Sequence, residues 1–154
     1  MKKYLNLPTA LAAIAMLTGV LFAATVPAED ATPPQQYANL LTPIVASGET
    51  VLGERISYPA GTAKVTAAIV VIPPGGSTGL HIHRVPLFAY MLEGELTVDY
   101  GSKGARTYRP GEGFLEAMDW PHNGANRGTA PARLLAVYIG AEGVSNAEPA
   151  PSAK

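Results

Sequence analysis

The sequence predicts an all-β domain, a small sandwich or closed barrel. Three observations carry this. Gly (16) and Pro (14) are abundant while charged residues make up only 15%. Short β-branched runs recur between Gly/Pro turns. No segment shows the 3.6-residue apolar period of a helix. With 154 residues, 47% of them apolar, the chain can build one ordinary domain with a real core, and not two.

In chain order, residues 1–28 read as a secretory signal peptide. Lys2 and Lys3 precede an alanine-rich apolar run, and Val26-Pro27-Ala28 places small residues where a signal peptidase inspects them. The expectation is a secreted or periplasmic protein. The competing reading is an uncleaved anchor, because the 18 residues 9–26 reach the short limit of a membrane span. Cleavage leaves nine Lys+Arg against 12 Asp+Glu, a net charge of −3. Nothing in that balance suits nucleic acid. With no cysteine, disulfides, thiolate ligands and lipobox attachment are excluded, so a metal must be held by His and carboxylate.

Residues 29–39 are polar and proline-containing, a flexible linker. Strands are then expected at 49–58, 64–72, 80–83, 87–92, 95–100, 106–109, 114–117, 121–125 and 133–139, with turns at Pro59-Ala60-Gly61, Pro73-Pro74-Gly75-Gly76, Gly94, 101–104 and 111–113. The domain is expected to span 40–140, and 141–154 to form a disordered tail.

The chain has three histidines, His81, His83 and His122, the third 39 residues after the second. Side chains two apart on a strand share a face, so His81 and His83 point the same way and Ile82 points the other. Three neutral imidazoles on rigid strands can hold one side of a divalent transition metal and leave positions open. Leu87, Ala89 and Met91 share parity with the pair and are candidates to line the pocket. Phe88, Tyr90 and Leu92 form an apolar stripe on the other face, read as packing or a dimer interface. Glu116 shares parity with Phe114 and so faces the core. A buried carboxylate needs a partner, and a metal is one. Glu116 is therefore the candidate catalytic residue, as ligand, general base or a carboxylate orienting a histidine. Arg84 is weighed as a substrate-carboxylate anchor, Trp120 as turn packing or a shield for the metal, and Asn126 as the residue fixing the following turn. The glycines 75, 76 and 79 do not match a phosphate-binding loop.

These spacings resemble the two motifs of the cupin superfamily. Gly75, His81, His83, Leu87 and Gly94 stand at the positions of the first, and Gly111, Ala117, Asp119, His122 and Asn126 at those of the second. Leu87 stands where the family usually carries a ligating glutamate, and Ala117 and Asp119 where it has Pro and Gly before the second-motif histidine. The first departure alters the metal site and the others the turn. The resemblance implies a single jelly-roll β-barrel, a metal at His81, His83 and His122 with Fe(II) favoured and Zn, Mn, Ni or Cu admitted, and a homodimer. It also implies dioxygenase-like oxidoreductase chemistry on a small organic molecule. A metal-assisted isomerase or hydrolase, and a non-catalytic metal- or ligand-binding or sensing module, stand as alternatives.

Overall fold

The computed structural model describes residues 35–150. The expected signal segment, residues 29–34 of the linker and the last four residues lie outside the described residues. The chain divides into two units, 1–41 and 42–154. In the first, Gln35–Ala38 form one helical turn, α1, closed by the Leu40 amide on the Tyr37 carbonyl at 2.9 Å.

The described part of the second unit is β structure, apart from one 3-10 turn at Gly101–Lys103. Its strands are β1 (Ala63–Ile72), β2 (His81–Ile82), β3 (Leu87–Glu93), β4 (Leu96–Asp99), β5 (Ala105–Tyr108), β6 (Gly113–Leu115), β7 (Asn123–Ala125), β8 (Ala132–Ala141) and β9 (Glu148–Pro149). They form an antiparallel sheet in the order β1-β8-β3-β6, a second in the order β5-β4-β7, and a pair β2-β9. The arrangement is consistent with a jelly roll, built from three hydrogen-bonded sheets. Alternation explains the interior. Ile72, Ala89, Met91 and Leu134 from the first sheet meet Leu96 and Val98 from the second, all buried in one cluster.

Two expectations need correction. Residues 49–58 are not a strand. Glu49 bridges Arg55, and between them the Thr50 hydroxyl accepts the amides of Leu52 and Glu54 while Gly53 takes φ 79°, so local hydrogen bonds make a turn. Residues 141–150 are not a disordered tail, because Ala141 ends β8 and the segment returns as β9 against the histidine strand. Their polar composition hides a two-residue pairing too short to leave a periodic signal.

Gly94 is required by space as well as by φ (70°). A Cβ there would lie 2.4 Å from the Pro131 carbonyl oxygen. It sits just past the irregularity in β3 between Met91 and Glu93 and lets the backbone leave one sheet for the other.

Candidate metal centre

The site is assembled from three places in the chain. β2 presents His81, the residue after it on the same face is His83, and His122 bridges His81 across the strand gap, each amide bonded to the other's carbonyl at 3.0 Å. The ring centroids lie 4.8 Å (81–83), 4.5 Å (81–122) and 5.1 Å (83–122) apart. His83 and His122 are buried and His81 is partly so.

Each ring is locked by its Nδ1 on a backbone carbonyl: His81 on Gly79 at 2.8 Å, His122 on Trp120 at 2.8 Å, and His83 on Asn146 at 2.7 Å. A carbonyl only accepts, so Nδ1 carries the proton and Nε2 keeps its lone pair. Among the described residues, the buried His122 Nε2 has no hydrogen-bond partner. One ligand nitrogen from each histidine lies within 4.8 Å of the other two. A point within roughly 2.8 Å of all three then exists, against ~2.0–2.1 Å for a metal–imidazole bond, and ring shifts of under ~1 Å close the set. The donor set therefore fits a divalent transition ion.

Charge agrees. Burial pushes all three histidines below their usual value of 6.5, His83 to about 4, so they are neutral and ready to ligate at pH 7. Burial also raises the Glu116 carboxyl. Its Oε1 accepts the Tyr100 hydroxyl and the Ala117 amide, both at 2.7 Å, which turns Oε2 toward His122 Nε2 at 3.9 Å. A bound cation would reverse the burial effect and hold Glu116 ionised.

The rings open into a cavity of about 430 Å³ whose walls are mostly apolar, with Val70, Ile72, Leu96, Phe114 and Leu134 among them. Leu87 and Ala89 face inward as parity predicts, while Met91 lies deeper, in the packed core. Arg84 does not serve the cavity, because Asp119 (2.5 Å) and Glu148 (3.3 Å) hold it at the surface. Trp120 packs the turn and donates its indole N–H to the Tyr100 carbonyl at 2.9 Å. Asn126 fixes the turn after β7, donating to the Ile72 and Ala130 carbonyls and accepting the Gly128 amide. Asp119 has φ 55°, the left-handed region that Asp tolerates better than most residues, so its replacement of Gly leaves the turn intact.

Sequence reasoning missed Tyr100, which holds Glu116, and Tyr138, whose ring lies 5.6 Å from that of His83 and borders the cavity. Parity carried the signal for both. Tyr100 continues the inward series Leu96, Val98, and Tyr138 continues Leu134, Ala136.

Comparison with known proteins follows the same residues. The family model described as "Cupin domain" matches residues 68–138, a range that holds the three histidines and Glu116. No curated protein matches the chain. Among solved structures, the oxalate decarboxylase of Lactobacillus farciminis in its formate complex is 28% identical, with 58% of this chain and 27% of that one covered and a TM-score of 0.47. An oxalate oxidase is 30% identical over 49% of this chain and 42% of its own, with a TM-score of 0.45. A cupin-superfamily sugar phosphate isomerase from Silicibacter pomeroyi is 28% identical over 49% and 50%, with a TM-score of 0.44. The chain thus spans half or less of each of these proteins. The motif spacing, the histidine cluster and the match to the cupin domain model thus fall in one segment, residues 68–138.

Proposed function

We propose that the protein is an exported, metal-dependent oxidoreductase of the dioxygenase type acting on a small organic molecule. His81, His83 and His122 hold the ion, with Fe(II) as the proposed occupant. The observation that carries this reading is the buried Nε2 of His122, unpartnered among the described residues, beside two rings locked in the same tautomer. An isolated buried acceptor is costly unless something binds it.

A divalent transition ion at this position supplies Lewis acidity and open coordination positions. The chain's own residues do the rest. Apolar walls exclude water and favour a substrate with substantial hydrocarbon surface. Glu116 Oε2 faces the reacting region and can take a proton there, while the Tyr100 hydroxyl holds Oε1 still. The same carboxylate favours a second reading, a non-catalytic metal-binding module, if Oε2 closes the remaining position. A homodimer belongs to the proposal as well. Among the described residues β1 is an edge strand whose Val65, Ile69 and Val71 are about half exposed or more, an apolar row suited to a second copy of the chain.

The test is elemental analysis of protein purified from its native compartment, followed by oxygen uptake with candidate diketones, phenols or thiols. Near-stoichiometric redox metal with turnover-linked oxygen loss is the expected result. Tightly held zinc without exchangeable ligands would favour the binding module. His81→Ala or His122→Ala should remove the metal and leave the β-sheet circular dichroism unchanged; full metal content in either variant would defeat the ligand assignment.

A further inference from the structure

Two of the three rings are oriented by their own neighbourhoods, His81 by Gly79 and His122 by Trp120, each two residues away. His83 is different. Its Nδ1 is held by the carbonyl of Asn146, 63 residues further along the chain. That carbonyl belongs to the segment that leaves β8 and comes back over the cavity. Ala147, Glu148 and Pro149 line the cavity wall, and β9 pairs with the strand that carries His81.

We propose that residues 142–150 are a hinged strap that gates the cavity and, through Asn146, positions His83, so that opening the cavity and loosening the ion are one event. The ion's part in this rests on the metal reading above; the strap's hold on the ring does not.

The strap has a hinge and a latch. The hinge is the turn in which the Val144 amide meets the Ala141 carbonyl at 3.2 Å, with Gly143 at φ 77° and open space beside it. The latch is Arg84, which joins Glu148 on the strap to Asp119 in the loop leading to His122. All three side chains are exposed by 41–59%. Exposed pairs contribute under about 1 kcal/mol each, so the latch is weak enough to release in solution. Only two residues of β9 pair with β2, which also favours reversible release. When the strap lifts, the buried Nδ1–H of His83 loses its acceptor and the ring is free to turn its Nε2 away from the other two. Asn146 is thus a positioning residue acting through its backbone carbonyl, which explains why its side-chain identity gave no signal.

The test uses the full chain and two single variants, Arg84→Glu and Glu148→Arg, together with the double variant that exchanges the charges. Three readouts are taken: amide hydrogen exchange of residues 144–150, the imidazole nitrogen spectrum of the metal-free protein, and the rate at which bound Zn²⁺ passes to a chromophoric chelator. Both single variants should exchange faster in the strap. His83 alone should lose its fixed Nδ1–H tautomer, and Zn²⁺ should leave about threefold faster or more, with the urea midpoint unchanged. The double variant should return toward wild type. Unchanged strap exchange in both single variants, or an open strap with His83 and Zn²⁺ release unaltered, would overturn the proposal. So would an effect of Arg84→Glu that Glu148→Arg does not share. If the wild-type protein takes up no Zn²⁺, the metal reading fails, while exchange and tautomer still decide the strap.

Discussion

Glu116 stands directly across from Leu87, its amide bonded to the Leu87 carbonyl at 2.9 Å. A carboxylate thus lies opposite the position where the first motif lacks one, with its Oε2 3.9 Å from His122 Nε2. Glu116→Gln keeps the shape and removes the charge, so ion affinity should fall roughly tenfold or more in a competitive chelator titration. Leu87→Glu would place a second carboxylate in the same buried space. It should tighten ion binding and destabilise the ion-free protein, and denaturation with and without metal separates the two effects. The ion-free protein also has a signed pH dependence. His83 titrates at 6.5 unfolded and about 4 folded, so between these values the unfolded chain binds more protons. Its contribution is full above 6.5 and is lost as pH falls to about 4, with His81 and His122 acting in the same direction. Glu116, raised above 4.5, opposes this, because its contribution is lost as pH rises. Urea titrations across this range should show stability rising with pH, with a shallower slope in His83→Phe. His81, His83 and Leu87 were legible because strand parity fixes the face a residue presents, and His122 joined them through the spacing of the second motif it resembles. The carbonyls that lock the rings were not, because every residue has one.

Among the elements, the long apolar runs that became β1, β3 and β8 were legible, since the pattern persists over seven to ten residues. The turn at 50–54 and the strand β9 were not. One is decided by a threonine hydroxyl, the other by the tertiary presence of β2. The turn after β7 offers a sharp test. Asn126→Ala would strip donors from two carbonyls and the acceptor from Gly128, and should lower stability by about 2–4 kcal/mol in urea denaturation. Gly94→Ala should be comparably damaging, because it combines a positive φ with a collision against backbone that cannot rotate away.

At the scale of the molecule, the sheet order among the described residues leaves β1 with one neighbour, β8, and its outward side chains Val65, Ile69 and Val71 in solvent. Natural sheet edges usually carry charge or a bulge against unwanted pairing, and this one is apolar over most of its ten residues. Sedimentation should find a dimer for the wild-type protein and a shift toward monomer for Ile69→Lys. A monomeric wild-type chain would remove the dimer from the proposal. The all-β class was legible from composition and turn spacing, and the jelly roll only through the resemblance of the two motifs. The edge was not, because sequence order does not reveal which strand is left without a neighbour.

The indole of Trp120 is the sole one in the chain, and its own carbonyl steadies the His122 ring. Lys103 sits over its face, 4.4 Å from the centroid. The molecule therefore carries an optical reporter beside the candidate metal site, without labelling. A paramagnetic ion arriving at His122 should quench the indole emission in proportion to loading, and a diamagnetic one should shift it far less. Titrating light output against added ion would count sites before any substrate is known.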